Sequence, residues 1–150
     1  GQTEKESKNL KELLKKEKEF GITKKETYRN FQNQILEKKI SIWKFFSVAK
    51  KEKKKIACYG APAKGNTLLN YCQIGKDFIN FTVDKNPAKQ GKLLPGTHIP
   101  IFNLKKINEF KPDYLVILPW NLKEEIVEEM KYIRKWGGKF VVLSPKVKIF

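Results

Sequence analysis

The stretch at residues 54–72, KKIACYGAPAKGNTLLNYC, limits what this chain can fold into more than any other. The apolar run 56–59, which follows a pair of lysines, predicts a short buried strand. Gly60 and Gly65 then enclose a turn, and the apolar side chains between residues 68 and 72 recur at helical spacing. The stretch therefore predicts a strand, a glycine-bounded turn and a helix in direct succession.

This turn is a candidate ligand site, because open α/β sheets present backbone N–H groups and positive helix ends to anionic ligands at such turns. Asn66 or Thr67 is placed to cap the helix, and Lys64 adds a positive charge. The alternative is a plain turn whose glycines serve only close packing. The candidate site residues of the turn are Gly60, Ala61, Pro62, Ala63, Lys64, Gly65, Asn66 and Thr67.

Three further apolar runs predict the rest of a sheet, at residues 78–83, 113–118 and 139–143. Helical patterns occur at residues 104–110 and 122–136, and residues 99–102 predict a short extended piece. Strands that alternate with helices through right-handed crossovers predict a Rossmann-like α/β fold. We expect a parallel sheet of about four strands with flanking helices, and the strand 55–59 at its centre.

Residues 1–52 predict a helical segment that precedes this α/β domain of residues 53–150. An amphipathic helix is expected to end near Gly21, and Thr23 with Glu26 matches a capping box that starts a second helix. The second helix carries a wide apolar stripe, which must pack on the α/β body, on another domain or on a second copy of the chain. A homodimer through the N-terminal helices is therefore one expected assembly.

The ends of parallel strands place three loops at one rim of the predicted sheet, where ligands of such folds bind. The loop at residues 84–98 is long, and loops of this length are usually functional or mobile. Trp120 follows a predicted strand and either stacks on a ligand ring or covers the core, while Asn121 is expected to cap the next helix. The candidate residues outside the turn are Asp84, Asn86, Pro87, His98, Trp120 and Asn121.

His98 is the only histidine, and histidine is the side chain whose ordinary pKa lies near neutrality. It is a candidate catalytic base or a partner for phosphate or hydroxyl groups. The alternative is a hydrogen bond that orders the loop. The sequence shows no Ser/His/Asp arrangement and no paired carboxylates that would identify another catalytic group.

The formal net charge of +16 suits an anionic partner such as nucleic acid, a membrane surface or a phosphorylated small molecule. Only Arg29 and Arg134 are arginines, however, and specific recognition of phosphates and bases relies on arginine. The lysine surplus is therefore more typical of solvated surface, and neither nucleic acid nor a membrane is expected as a partner. Cys58, Cys72 and one histidine do not complete a zinc site, so we expect no metal and a reducing cytoplasm.

The turn GAPAKGNT fails the two common nucleotide-binding patterns. Asn66 stands where the ATPase pattern requires lysine, and Pro62 replaces the second glycine of the dinucleotide pattern. Asp84 does end the second predicted strand, as a ribose-binding acid would. An NAD(P)-type nucleotide-binding protein is therefore one alternative function, and a basic nucleic-acid-binding module is another.

Three segments closely resemble the C-terminal domain of SAM-dependent C-methyltransferases that act on nucleotide-linked deoxysugars. They are YGAPAKGNTLLNYC, FTVDKNPAKQGKLLPGTHIPI and PDYLVILPWNLKEEI, and the resemblance extends over about residues 23–142. It implies a Rossmann-like domain that helps to enclose the sugar nucleotide. It also implies methyl transfer to a carbon next to a keto group, after a proton has been abstracted.

In that family a zinc-binding segment, a SAM-binding domain and the catalytic region precede the C-terminal domain, so they would lie upstream of Gly1. The partners implied by the resemblance are a nucleotide-diphosphate sugar and the protein's own SAM-binding domain. The chain itself is expected to bind no cofactor and to be inactive alone. His98 stays the one catalytic candidate within it.

Overall fold

The computed structural model describes residues 2–150, with the side chains of residues 7–21 and 23–150. The chain divides into two compact units, one that ends at Glu37 and one that spans Lys38–Phe150. The second unit contains the whole sheet together with the last part of the N-terminal helical segment.

The N-terminal segment forms one continuous helix, α1 (Gln2–Lys51), so the prediction of two separate helices is wrong. Gly21 lies inside α1, where a glycine costs about 1 kcal/mol relative to alanine, and the turns on both sides of it are rich in lysine and glutamate, which are good helix formers. The Thr23 hydroxyl donates to the Glu19 carbonyl one turn earlier, at 2.9 Å, instead of capping a new helix. The predicted capping box of Thr23 and Glu26 is therefore wrong as well.

The second unit contains six strands: β1 (Ile56–Tyr59), β2 (Thr82–Val83), β3 (Ile101–Phe102), β4 (Tyr114–Ile117), β5 (Lys139–Val142) and β6 (Lys148–Ile149). Their order in the sheet is β3-β2-β1-β4-β5-β6. The first five strands pair in parallel, and β6 is antiparallel to β5. The order of the first five is that of a Rossmann fold, so the predicted α/β class and the central position of β1 are confirmed.

The predicted count of about four strands is too low, because β3 and β6 have two residues each and leave almost no pattern in the sequence. The predicted strand 78–83 is also too long, since the strand itself is Thr82–Val83, although the backbones of Asn80 and Phe81 also form hydrogen bonds with β1. The N–H groups of Phe78 and Ile79 both donate to the Gly75 carbonyl at 3.0 Å, which folds this part into a turn. Ile79 is nevertheless fully buried, so its apolar character reflects the core and not a strand.

Three short helices follow the strands: α2 (Ala63–Tyr71), α3 (Lys105–Phe110) and α4 (Lys123–Glu129). Turns of 3₁₀-helix flank α4 at Trp120–Leu122 and Lys131–Trp136. The pattern that predicted one helix over residues 122–136 is therefore divided among three shorter helical pieces. A glycine with positive φ, Gly137, ends the last of them as predicted from the sequence.

The central strands are buried on both faces, as expected for a parallel sheet. Ile56 and Cys58 contribute to the cluster that packs under α1 and α2, whereas Ala57 and Tyr59 contribute to the cluster under α3 and α4. The apolar stripe of α1 completes the first cluster through Ile42, Phe45, Phe46 and Ala49. This part of the N-terminal stripe therefore packs on the α/β body.

The predicted helix caps are wrong. Pro62 occupies the N-cap of α2, so Asn66 and Thr67 lie within the helix, and the Thr67 hydroxyl donates to the Ala63 carbonyl at 2.9 Å. Asn121 lies in the 3₁₀ turn before α4 and does not occupy its N-cap. In each case the helical turn begins earlier than the polar residue that was expected to cap it.

Across residues 2–150, we find no helix that is both long enough and apolar enough to cross a membrane. Within the same described residues, no group of three or more histidine, cysteine, aspartate or glutamate side chains is arranged to hold a metal ion. Cys58 and Cys72 are buried free thiols.

Candidate functional site

The turn after β1 is tightly fixed by its neighbours. Gly60 has φ of +94°, and a Cβ built on it would lie 2.7 Å from Cδ of Pro119. Its N–H donates to the Val83 carbonyl at 2.6 Å, and its carbonyl accepts from the Thr82 hydroxyl at 2.6 Å. Only glycine suits this position, because both the backbone conformation and the available space exclude a side chain. The N–H of Gly60 is already used within the fold.

Asp84 joins this turn to the loop that follows β2. Its carboxylate accepts the N–H of Ala61 at 3.0 Å and the N–H of Asn86 at 2.9 Å. The Lys89 ammonium lies 3.9 Å from the same carboxylate and donates to the Ala61 carbonyl at 3.1 Å. Both oxygens of Asp84 are therefore engaged in holding the turn, which argues against the ribose-binding role that the dinucleotide alternative requires.

Gly65 lies in the first turn of α2 and packs against the end of β4. A Cβ on Gly65 would lie 2.8 Å from Cβ of Leu118 and 3.3 Å from its carbonyl oxygen, and its φ is not positive. The absence of a side chain here serves the close approach of helix and sheet. Lys64, on the preceding position, is exposed.

The start of α2 lies at the carboxyl edge of β1, and no side chain caps it. The first backbone N–H groups of a helix have no partner within the helix, and they carry the positive end of its dipole. The N–H groups of Ala63 and Lys64 thus supply hydrogen-bond donors at this edge. This arrangement is suited to an anionic or strongly polar group.

The loop at residues 84–98 is held at both ends. Asn86 accepts the N–H of Ala88 at 3.0 Å and, like Pro87, is exposed. At the far end, Asn66 and Asn70 of α2 donate to the Pro95 carbonyl at 3.2 and 2.9 Å. Asn66 therefore connects the loop to the helix and is not a cap.

His98 has φ of +59°, and its backbone N–H donates to the Leu94 carbonyl at 2.9 Å. The imidazole is exposed. The hydrogen bond that orders this part of the loop thus comes from the backbone, and the ring is exposed. His98 precedes β3, which is parallel to β2, so the structure places it towards the amino end of the sheet and not with the other candidate residues at the carboxyl edge.

Trp120 lies in the 3₁₀ turn after β4, three residues beyond Ile117, and is half-buried against the cluster under α3 and α4. The Lys38 ammonium lies 5.8 Å from the centre of its ring. Asn121, the next residue, is exposed. Trp120 therefore covers the core with part of its surface and presents the remainder at the strand ends.

A second polar cluster at this edge was missed by the sequence analysis. The Tyr59 hydroxyl donates to the Glu129 carboxylate at 3.2 Å, and the Lys85 ammonium lies 2.7 Å from the same oxygen. Burial raises the pKa of the Tyr59 phenol well above its ordinary value, and the charge and hydrogen bond of Glu129 raise this pKa further. Tyr59 and Lys85 lie within two of the quoted segments, next to the candidate residues Gly60 and Asp84, but nothing in the sequence distinguished Glu129 from other helix residues.

The carboxyl edge is thus better suited to binding than to acid–base chemistry. The carboxylates of Asp84 and Glu129 accept hydrogen bonds from groups of the fold. Within the described residues, neither Lys38 nor Lys64 forms an ion pair with a carboxylate. The edge therefore combines excess positive charge, backbone donors and one indole ring.

An apolar groove of about 310 Å³ lies elsewhere in the second unit, between α1 and β6. Its walls include Phe45, Val48, Tyr114 and Ile149. Tyr114 begins β4, so the groove is at the amino end of that strand. None of the predicted site residues lines it.

Residues 1–145 match the family described as the C-methyltransferase C-terminal domain. The C-methyltransferase NovU of Streptomyces niveus is 36% identical over 138 residues, which are 92% of this chain and 33% of that protein. The chain thus spans about a third of the length of this curated relative. The crystal structure of UDP-D-quinovosamine 4-dehydrogenase from Vibrio fischeri aligns with 65% of this chain and 93% of that chain, at 18% identity and a TM-score of 0.47.

Proposed function

The chain belongs to the family of C-methyltransferase C-terminal domains, and from this premise we propose that it binds a nucleotide-linked deoxysugar for a SAM-dependent methyl transfer. The methyl group is added to a carbon next to a keto group. The substrate is a nucleotide-diphosphate sugar, and the protein acts in the cytoplasm. These finer features come from the sequence resemblance.

One observation of the structure supports the proposal most directly. The turn after β1, the loop that begins at Asp84 and the segment Leu118–Trp120 meet at the carboxyl edge of neighbouring parallel strands. Gly60 contacts Pro119, and Gly65 contacts Leu118, so these loops form one continuous surface. Ligands of open α/β sheets bind at this edge.

The residues present do not fit SAM. Such sheets hold the ribose of a nucleotide cofactor with an acid at the end of the second strand, and both oxygens of Asp84 accept backbone N–H groups instead. We therefore assign SAM, which supplies the methyl group, to an upstream domain. The same engagement of Asp84 makes the NAD(P) alternative less suitable.

This chain's own residues bind and orient the sugar nucleotide. The N–H groups at the start of α2 and the charge of Lys64 face the phosphates, and Trp120 covers a ring of the ligand. Asn86, Pro87 and Asn121 are exposed beside them and complete the contact surface. Proton abstraction from the sugar carbon belongs to the upstream region, with His98 as the one candidate from this chain.

Calorimetric titration of the 150-residue chain tests the proposal. We expect binding of UDP- or dTDP-linked deoxysugars, no binding of SAM or NAD, and no methyl transfer when SAM and sugar nucleotide are added together. Binding of SAM that a SAM analogue blocks would show that the cofactor site lies in this chain. Tight binding of NAD without binding of sugar nucleotides would favour the dinucleotide alternative.

A further inference from the structure

Lys38 extends from α1 to the carboxyl edge of the sheet, although the sequence analysis treated this helix only as a packing segment. Its ammonium donates to the Ser144 hydroxyl at 2.7 Å. Ser144 lies two residues beyond the end of β5, and Trp120, whose ring centre is 5.8 Å from the same ammonium, lies three residues beyond the end of β4. A cation, a hydroxyl group and an indole from three elements thus meet at this edge.

The positive charge of Lys38 is only partly compensated by the groups around it. Its side chain is half-buried, which removes part of the hydration of the ammonium group. Within the described residues the lysines that form ion pairs are Lys85, Lys89, Lys106 and Lys131, so Lys38 has no carboxylate partner there. The hydroxyl of Ser144 and the face of Trp120 compensate only in part, because neither carries a full negative charge.

The acidic groups of the edge do not neutralise Lys38. Asp84 accepts the N–H groups of Ala61 and Asn86, and Glu129 accepts hydrogen bonds from Tyr59 and Lys85. Each carboxylate is therefore committed to another part of the fold. An anionic ligand would supply the negatively charged partner that Lys38 lacks, and the positive potential around Lys38 would attract it.

We propose that Lys38 binds a phosphate group of the nucleotide diphosphate, and that Ser144 is a positioning residue that holds its ammonium at the edge. The inference rests on the proposed function and identifies the residue that recognises the diphosphate. A lysine binds phosphate as a point charge on a flexible stem, so it recognises the charge of the ligand and not the identity of its base. The same contact therefore extends to inorganic pyrophosphate.

The test compares variants of the 150-residue chain in calorimetric titrations with UDP, dTDP and inorganic pyrophosphate. Lys38→Met, which keeps the length of the side chain, should weaken binding of all three about tenfold, as expected for one charge-assisted contact. The salt dependence of binding should become shallower in the same variant. Lys39→Met is the matched control, because Lys39 is the next residue of α1 and its ammonium lies 5.1 Å from the Tyr71 ring.

Two further variants separate binding from folding. Lys38→Arg keeps the charge and should keep most of the affinity, so a loss confined to Lys38→Met does not arise from misfolding. Ser144→Ala should weaken binding about threefold without making the salt dependence shallower, because the ammonium is still present but less well placed. Ser144→Thr retains a hydroxyl and should restore the affinity. A purely structural serine would show neither the loss nor the rescue.

The outcomes distinguish this inference from the proposed function. If the parent chain binds UDP or dTDP and Lys38→Met binds them equally well, the assignment of Lys38 is overturned and the proposed function stands. If Lys38→Met weakens pyrophosphate binding but sugar nucleotides bind the parent chain no better than pyrophosphate, the anion site is supported and the sugar-nucleotide function is contradicted. If the parent chain binds none of the three probes, both are overturned.

Discussion

Single residues at the turn after β1 show why glycine is needed there twice. Gly60 has a positive φ and faces Pro119, whereas Gly65 has an ordinary helical conformation and lies against Leu118. The sequence alone left open whether Gly65 makes room for a ligand or for another part of the fold. The contact with Leu118 gives it a packing role, and the ligand-facing groups of the turn are the backbone N–H groups and Lys64.

This difference predicts that a variant of Gly65 affects stability, whereas a variant of the neighbouring Lys64 affects ligand binding. Gly65→Val should lower the free energy of unfolding by about 1–3 kcal/mol, because the added side chain overlaps Leu118. Lys64→Ala should leave stability unchanged and weaken binding of the sugar nucleotide by about 1 kcal/mol. Urea unfolding and calorimetry on both variants measure the two quantities. Parent-like stability of Gly65→Val would contradict the packing role.

Tyr59 provides a prediction about pH. The pKa of its phenol is raised in the folded chain by burial and by Glu129, so the unfolded chain loses this proton first once the pH exceeds about 10. The stabilisation by protonated Tyr59 is therefore fully present below that pH and is lost as the pH rises towards the folded pKa. The advantage of the parent over Tyr59→Phe in free energy of unfolding should shrink as the pH rises.

Denaturant unfolding of the parent and Tyr59→Phe between about pH 8 and about pH 11 measures this change. Tyr28→Phe is the control, because Tyr28 is exposed on α1. A constant difference between parent and Tyr59→Phe across the range would show that Tyr59 does not titrate differently in the folded chain.

Among the elements, the loop at residues 84–98 was predicted to be functional or mobile from its length alone. Its first residue fixes the turn after β1, and its Pro95 carbonyl is held by Asn66 and Asn70 of α2. The loop is therefore anchored at both ends, and His98 is presented from an ordered segment. An ordered and exposed imidazole is consistent with a ligand contact.

We predict that His98→Ala, made in the longer methyltransferase that we propose this chain to be part of, reduces turnover or substrate affinity more than it reduces stability. His98→Gly should lose the same activity while gaining stability, since glycine adopts the φ of +59° without strain. Steady-state kinetics and thermal unfolding of both variants give the comparison. Parent-like kinetic constants in the two variants would show that His98 has only a structural role in the loop.

The sequence predicted the elements whose pattern is long enough to recognise. β1, β4 and β5 each have four residues and are mostly buried, so their apolar runs were visible, whereas β3 and β6 have two residues each. The break expected at Gly21 did not occur, because the helix formers on both sides outweigh the cost of one glycine.

The candidate site was predicted as a set of loops but not as a set of contacts. Parallel strand order places the motifs at one edge, and that could be derived from the sequence. The interaction of Lys38 with Ser144 joins residues that are 106 positions apart, and no local pattern indicates such a pair. Asn66 was interpreted as a cap because its partner, the Pro95 carbonyl, lies in a distant loop.

For the molecule as a whole, the exposed apolar side chains of α1 in the first unit form a candidate interaction surface. Between 54% and 70% of the surface of each is exposed: Leu10, Leu13, Leu14, Phe20, Tyr28, Phe31 and Leu36. Monomeric proteins seldom expose large contiguous apolar patches, so a series of this kind indicates an interaction surface. The sequence analysis expected the apolar stripe of the second predicted helix to pack on the α/β body, on another domain or on a second copy of the chain.

We predict that the 150-residue chain self-associates through this part of α1. Light scattering should give a molar mass that rises from monomer to dimer with concentration, because pairing buries leucine and phenylalanine side chains that are now in water. Leu13→Lys together with Phe31→Lys should keep the chain monomeric without unfolding the second unit. Leu122→Lys is the matched control, since Leu122 is 42% exposed but belongs to the second unit, and it should leave the dimer intact. A parent chain that stays monomeric at every concentration would rule out the homodimer and would favour the proposed upstream SAM-binding domain as the partner of this surface.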